Sequence, residues 1–229
     1  MAEINSDWYL HKGFTQVECS PLSAARYIGR PAGMHGWMQA RDGGLVFEDG
    51  SPFKFWASNV TTNGVWDPDK KVLNAKRLAG LGINSMRFHK FTYQDGGVCS
   101  KGTASTVLDP HKMDCMDKYF CELKDEGIYV TWSHIWGHRA NELDNLPSGF
   151  TGSSYGLANF AKDLQALLFT ITKNLLNHFN PYTGLRYADD PALAAIELQN
   201  EDNMFWSMQS IADKYPYYRN MLNKMFSVW

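Results

Sequence analysis

The 229-residue sequence predicts an α/β fold built on a parallel sheet. Apolar runs of strand length alternate with longer amphipathic runs, so that helix and strand follow one another in about four β-α units. Such a succession fits either an open doubly wound sheet or part of a (β/α)8 barrel. No strand is followed by G-x-G-x-x-G or by a P-loop, which argues against dinucleotide and nucleoside triphosphate chemistry.

The composition is that of an ordinary globular protein, with 44% hydrophobic and 20% charged residues. A net charge of -2 without a basic stripe argues against a nucleic-acid partner. Eight Trp and eleven Tyr suit a ligand with apolar faces, such as a sugar. The sequence shows neither an apolar leader nor eighteen consecutive apolar residues, so we expect a soluble chain without a membrane partner, and leave secreted or cytoplasmic location open.

We divide the chain into an irregular N-terminal segment, 1–43, and a partial barrel, 44–229. The first segment mixes aromatic, Gly and Pro positions without a sustained period, and we expect it to cover an end or a side of the barrel. Asp49-Gly50 lies between two alternating apolar runs and predicts a hairpin. Its second arm, Phe53 to Asn59, is the first predicted core strand.

The other elements follow from helix caps and apolar periodicity. Asp67-Pro68 predicts the start of the first helix, and Val72, Leu73, Leu78 and Ala79 lie on its apolar face. The further predicted elements are a strand from Ile83 to Phe88, a helix from Asp109-Pro110 to Gly127, a strand from Ile128 to His134, a helix from about Leu157 to Phe179, a strand through Ile196 and Leu198 buried on both faces, and one helix from Met208 to Val228.

The last of these strands ends abruptly in Asn200, Glu201, Asp202 and Asn203. Catalytic side chains of parallel α/β proteins project from the carboxyl ends of the strands. Glu201 is therefore the first candidate for chemistry. The alternative is a polar turn that caps the next helix.

Polar side chains also end the other three strands. Asn59 ends the first, Arg87 and His89 end the second, and His134 and Trp136 end the third. Each has a structural alternative, since Asn59 suits a turn, Arg87 an ion pair and His134 a hydrogen-bonded core position. Their placement on every strand predicts a shared site at one end of the sheet.

His134 and His138 have the i, i+4 spacing of some zinc ligands. They follow a strand, however, and the Glu of a zincin motif and an obvious third ligand are both missing. We therefore expect no metal and no other cofactor, and keep a metal-dependent hydrolase only as an alternative.

Taken together, DGSPFKFWASN, LAGLGINSMRFH, LDPHKMDCMDKYFCELKDEGIYVTWSH and ALAAIELQNED resemble the N-terminal half of clan A glycoside hydrolases, most closely the family 5 cellulase-like enzymes. The resemblance runs from about Gly44 to Trp206. It implies a truncated (β/α)8 TIM-type barrel of about four β-α units with an N-terminal β-hairpin. The Asn-Glu pair after strand four is its most specific part.

The resemblance also implies roles for individual residues. Glu201 would be the general acid/base, with a pKa raised by partial burial among aromatic rings. Asn200 would bind the sugar 2-hydroxyl, and Arg87 would orient the nucleophile. The expected substrate-binding residues are Asn200, Arg87, His134, Trp136, Asn59, His89 and Trp206, the tryptophans as stacking platforms. The expected reaction is retaining hydrolysis of a β-1,4-glucan or β-glucoside, with two carboxyl groups about 5–5.5 Å apart.

The nucleophile of that family follows strand seven, at a position beyond Trp229. Half a barrel would expose the edges of its first and fourth strands, so we expect a homo-oligomer that covers them. Activity would then need a replacement carboxylate from Glu142, Asp144, Asp202 or a partner chain. Otherwise the chain would be a non-catalytic carbohydrate-binding or self-assembling half barrel.

Overall fold

The computed structural model describes residues 21–67 and 74–229. None of the helices in these ranges has the length and apolar character needed to span a bilayer. In chain order the strands are β1 (Met38–Arg41), β2 (Gly44–Phe47), β3 (Ala57–Thr61), β4 (Ser85–His89), β5 (Tyr129–Ser133), β6 (Arg139–Ala140), β7 (Gly152–Ser153), β8 (Phe179–Asn180), β9 (Leu185–Arg186) and β10 (Leu193–Ile196), and the helices are α1 (Ala75–Gly80), α2 (Pro110–Asp125), α3 (Lys162–Asn177), α4 (Met204–Lys214) and α5 (Pro216–Val228).

The centre of the fold is a parallel sheet of four strands in the order β3-β4-β5-β10. Spatial order therefore follows chain order. A doubly wound sheet reverses its order at a switch point, whereas a (β/α)8 barrel adds each strand beside the previous one. The topology thus selects the barrel from the two predicted alternatives.

One face of this sheet packs against the helices and forms the core. Phe88 of β4 stacks on Tyr119 of α2, with ring centroids 5.6 Å apart. Trp132 of β5 meets Tyr187 edge to face at 4.7 Å. All four side chains are at most 1% exposed, so that the outer face of the sheet is closed by aromatic rings.

The hairpin of β1 and β2 covers the amino-terminal end of the sheet. Phe47 and Phe53 each lie 5.1 Å from the ring of Tyr129. β1 lies within the segment 1–43 that was predicted to be irregular. It forms a regular hairpin with β2 through a turn at Asp42-Gly43. The chain reverses again at the predicted Asp49-Gly50 turn, where the Gly50 amide donates to the Phe47 carbonyl.

The first core strand begins later than predicted. The Phe53 amide donates to the Leu45 carbonyl of the hairpin, and pairing with β4 starts only at Ala57. β3 is also an edge strand, so it pairs on one side alone. Asn59 consequently lies in the middle of β3, two residues before its end.

Helix α2 begins where the sequence predicts, because the Asp109 carboxylate accepts hydrogen bonds from the amides of His111 and Lys112. Helix α1 begins at Ala75, and Asn74 caps it. Most of the predicted start of that helix, including Pro68, Val72 and Leu73, lies outside the described residues. Helix α3 begins at Lys162 rather than near Leu157, since residues 157–159 form a separate 3-10 turn.

The predicted C-terminal helix is two helices, α4 and α5. Tyr215 between them is extended, with φ -118° and ψ 98°. Pro216 follows, and proline disfavours the α conformation in the residue before it. The apolar periodicity continues through Pro216, so a prediction based on it joined the two helices into one.

Candidate active site at the carboxyl ends of the parallel strands

Side chains alternate between the two faces of a strand, so residues two apart share a face. Arg87 and His89 of β4 therefore lie on the face opposite Phe88, which we call the inner face. The register places Asn59, Arg87 and Thr131 side by side across β3, β4 and β5. Pairing alone thus brings polar side chains from separate parts of the sequence into one row.

Arg87 is the centre of this inner face. Its Nη2 lies 2.6 Å from Glu197 Oε2, 2.7 Å from Asn200 Oδ1 and 2.8 Å from Ser133 Oγ, and its Nη1 lies 3.3 Å from Asn59 Oδ1. One guanidinium therefore joins all four strands of the parallel sheet or the segments that directly follow them. We call Arg87, Glu197, Asn200 and Ser133 the arginine cluster.

Glu197 is the member that the sequence interpretation missed. It directly follows β10, and its amide donates to the Trp132 carbonyl at 2.7 Å, which continues the pairing with β5. Partial burial acts to raise the pKa of its carboxyl, but hydrogen bonds from Ser133 and Arg87 and the positive charges of Arg87 and His89 outweigh it, so the pKa lies below its usual value. Alternation along β10 was the available signal, because it places Ala195 and Glu197 on one face.

His89 adjoins the arginine cluster through Ser133. Its Nδ1 lies 2.9 Å from Ser133 Oγ. Burial lowers the pKa of this imidazole, and the positive charges of Arg87 and Lys90 lower it further. The structure therefore places His89 at the predicted site, as a ring that is neutral at neutral pH.

The segment after β10 combines the two predicted alternatives. Asn203 caps α4, because its Oδ1 accepts from the Phe205 amide at 2.8 Å. Asp202 accepts from the Gly156 amide at 2.6 Å, and burial raises the pKa of its carboxyl. Asn200 is buried against Arg87, whereas Glu201 adopts a left-handed conformation with φ 47°. Non-glycine residues in this region are uncommon and are enriched at functional sites.

Glu201 is exposed, so the structure does not provide the partial burial that was expected for it. Burial raises the pKa of the Tyr155 phenol, and the negative charges of Asp202 and Glu201 raise it further. Tyr155 meets Trp136 edge to face at 5.4 Å, and the Tyr93 hydroxyl donates to the Trp136 carbonyl. Tyr93, Trp136 and Tyr155 thus form a small cluster of aromatic rings.

Trp136 does not offer both faces of its ring for stacking. The ammonium of Lys90 lies 3.4 Å from the ring centroid, at cation-π distance. A sugar that stacks on this face must first displace Lys90. Trp206, the other predicted platform, is 62% exposed on the first turn of α4, where the structure gives it no contact with the arginine cluster.

His134 lies elsewhere. Its side chain is fully buried on the outer face of the sheet, where Nε2 lies 2.7 Å from Thr172 Oγ1 of α3. Burial lowers its pKa to about 4. The physical reason is again alternation, since His134 is one residue beyond the inward Ser133, and the alternative of a hydrogen-bonded core histidine is the one that the structure supports.

His138 is buried as well, and its Nε2 lies 2.9 Å from Ser105 Oγ. Within residues 21–67 and 74–229, no group of three His, Cys, Asp or Glu side chains is arranged to hold a metal ion.

Leu198 is 69% exposed, which contradicts the prediction of a fourth strand buried on both faces. Within β10 only Leu193 is buried.

No protein-family model matches this sequence, and no curated protein sequence matches it. Solved structures do match. A glycoside hydrolase family 5 mannosidase from Rhizomucor miehei aligns over 80% of this chain and 54% of its own, with a TM-score of 0.54 and 14% identity. An endo-β-1,4-mannanase from Thermotoga petrophila aligns over 67% of this chain and 36% of its own, with a TM-score of 0.51 and 19% identity.

The fold of this chain is similar to that of the Rhizomucor miehei glycoside hydrolase family 5 structures. This likeness agrees with the barrel order of the four parallel strands. The chain spans about half the length of the Rhizomucor miehei mannosidase that it matches. At such low identity the likeness concerns the fold, which is the first part of the predicted resemblance.

Proposed function

We propose that this chain is the part of a retaining glycoside hydrolase that carries the general acid/base, Glu201. The observation that supports this most directly is the arginine cluster at the carboxyl ends of four parallel strands, with Glu201 next in sequence to Asn200. Those ends are where (β/α)8 enzymes hold their catalytic groups. The matched structures are named as glycoside hydrolases, which supports this chemistry for the site.

The proposed roles follow from exposure and hydrogen bonding. Glu201 is exposed at the strand ends, so it can reach the oxygen of a glycosidic bond and transfer a proton to it. Asn200 is fixed by Arg87 and carries the amide for a sugar hydroxyl. Neutral His89 and Asn59 are the other polar side chains of the inner face against which the sugar would lie.

A retaining reaction needs a second carboxylate, at about 5–5.5 Å from the first. Asp144 accepts hydrogen bonds from the amides of Ser105 and Asn141, each at 2.7 Å, so both of its oxygens serve the loop. Asp202 is similarly bound to Gly156. These two carboxylates therefore have structural roles, and we propose that the nucleophile is Glu142 or a carboxylate of a partner chain.

For the substrate we propose a β-1,4-linked mannan. The matched structures are named as mannanases and mannosidases, and this favours mannan over the cellulose-type glucan that the sequence resemblance suggested. β-1,4-glucan is the comparison substrate in the test.

The test measures hydrolysis of mannohexaose and cellohexaose by the wild-type chain, Glu201→Gln and Glu126→Gln. Glu126 pairs with Arg30 before the start of β5, at the opposite end of the sheet, and serves as the matched control. Loss of a general acid lowers the rate about 10²–10⁴-fold. We expect that loss for Glu201→Gln alone, with mannohexaose the better substrate. Equal turnover by all three proteins would contradict the role of Glu201.

A second candidate function is carbohydrate binding by an assembled half barrel without turnover. The open edges of the sheet favour it, because inner-face residues of both edge strands, such as Ala57 and Ala195, are exposed. Parallel sheets are normally covered on both faces, and open edges pair readily. We propose that a second copy of the chain pairs β3 with β10 and β10 with β3 around a twofold axis.

Light scattering after size exclusion tests this assembly. We expect twice the chain mass at tens of micromolar protein, and a monomer for Ala195→Lys, since a charge on an edge strand opposes pairing. A monomeric wild-type chain at that concentration would rule out the assembly. Binding of mannohexaose without hydrolysis by wild type would favour this second function over the first.

A further inference from the structure

The arginine cluster contains a carboxylate to which neither the resemblance nor the matched folds assign a role. Glu197 Oε2 lies 2.6 Å from Arg87 Nη2, the shortest of the contacts made by that guanidinium. The same Nη2 lies 2.7 Å from Asn200 Oδ1. Glu197 and Asn200 are thus joined through one nitrogen atom, although their side chains share no direct hydrogen bond among the described residues.

The contact with Arg87 determines which atom of the Asn200 side-chain amide is the oxygen and which is the nitrogen. An arginine nitrogen only donates, so the atom of Asn200 that faces it must be the carbonyl oxygen. The other end, Nδ2, is buried and has no hydrogen-bond partner among the described residues. A buried donor without an acceptor costs about 1–3 kcal/mol. A hydrogen bond from this nitrogen to a ligand hydroxyl is therefore more favourable in free energy than one from a donor that already has an acceptor.

We propose that Glu197 is a positioning residue: its carboxylate holds the Arg87 guanidinium, and Arg87 in turn holds the Asn200 amide with its NH2 group reserved for a sugar hydroxyl. This deepens the proposed function and rests on it for the identity of the ligand. The positioning itself is a property of the unliganded chain, so it can be tested separately.

Protonation of Glu197 would release the guanidinium. The titratable groups that face it are Arg87 and His89, both on β4. Since the folded pKa of Glu197 is lowered, the contact is complete above the ordinary range of a glutamate, near pH 4.3, and is lost as the pH falls below that range. At neutral pH the contact is therefore fully formed.

The experiment records nitrogen-15 and proton NMR signals of the Arg87 guanidinium and the Asn200 side-chain amide, without ligand, in wild type and Glu197→Gln. In wild type at pH 7 we expect hydrogen-bonded Arg87 N–H signals, and on acidification we expect their chemical shifts to move toward those of a free guanidinium. In Glu197→Gln we expect the Arg87 shifts to lie closer to those of a free guanidinium already at pH 7, with the Asn200 signals shifted. Glu126→Gln is the control and should match wild type.

Unchanged Asn200 signals in Glu197→Gln, or Arg87 signals indifferent to acid in wild type, would overturn the proposal. The wild-type titration needs no substitution, so it decides even if the variant does not fold. In a second arm, mannohexaose binding should weaken about tenfold in Glu197→Gln, which corresponds to loss of about one hydrogen bond. If wild type binds no sugar, the proposed function fails, whereas the NMR result still decides the role of Glu197.

Discussion

The two faces of the parallel sheet are built by different interactions. On the outer face, Phe88 and Trp132 pack in a closed layer of rings with Tyr119 and Tyr187. On the inner face, Arg87 is half-buried and bound to carboxylate, amide and hydroxyl oxygens. Arg87 and Phe88 are neighbours in sequence. The comparison shows that one strand can contribute to stability and to a site at once, because adjacent residues point to opposite faces of the sheet.

Substitutions of the ring layer should cost most. We expect Phe88→Ala to lower the free energy of unfolding by about 3–5 kcal/mol, since the ring is fully buried and leaves a cavity. Asn59→Ala, on the exposed inner face, should stay within about 0.5 kcal/mol of wild type. Urea unfolding followed by circular dichroism measures both. Comparable losses for the two variants would break the distinction between the faces.

Breaking a buried ion pair should likewise cost more stability than breaking an exposed one. Lys124 pairs at 2.8 Å with Asp190, whose side chain is 1% exposed, between α2 and the start of β10. Lys124→Met leaves that carboxylate buried without its cation, and should cost about 3 kcal/mol. Glu197→Gln opens an ion pair whose side chains are 34% and 43% exposed, and should cost at most about 1 kcal/mol. The same unfolding assay compares them, and a larger loss for Glu197→Gln would reverse the assignment.

Histidines provide the smallest contrast. Burial lowers the pKa of His134 to about 4 from an ordinary 6.5, so the folded state binds its proton less readily than the unfolded state does. The stability that follows is complete above pH 6.5 and is lost as the pH falls toward 4. For this one group the loss at pH 5 is about 2 kcal/mol.

We therefore expect His134→Gln to show a smaller fall in unfolding free energy between pH 7.5 and pH 5 than wild type, by about 2 kcal/mol. Glutamine retains a group that can hydrogen-bond Thr172. His138, whose pKa burial also lowers to about 4, keeps its own contribution in both proteins. Identical pH dependence in the two proteins would show that His134 is not a buried neutral group in the folded state.

Local signals predicted the elements well where one residue determines a boundary. Asp109 caps α2 as expected, because a side chain that accepts from the next amides acts over three residues only. Prediction failed where a boundary depends on a distant partner. β3 begins at Ala57 because Phe53 is bound to the hairpin, and no local pattern contains that information.

The residues of the candidate site were also predicted only in part. Arg87, His89 and Asn200 lie close together near the carboxyl ends of the strands, and Asn59 lies on the same face but in the middle of β3. His134 lies on the opposite face, and Glu197 was overlooked. Both differences arise from one uncertainty. A strand end that is misjudged by one residue exchanges the inner and outer faces, so that a core histidine resembles a site residue and a site carboxylate resembles part of an apolar run.

The sequence by itself determined the alternation of strands and helices, the polar residues after the strands and the resemblance to a glycoside hydrolase half barrel, because these depend on composition and short-range periodicity. The tertiary structure decided the barrel order of the sheet, the face on which each polar side chain lies and the contacts of Arg87. Those depend on strand register, which places Asn59, Arg87 and Thr131 side by side although dozens of residues separate them in the chain.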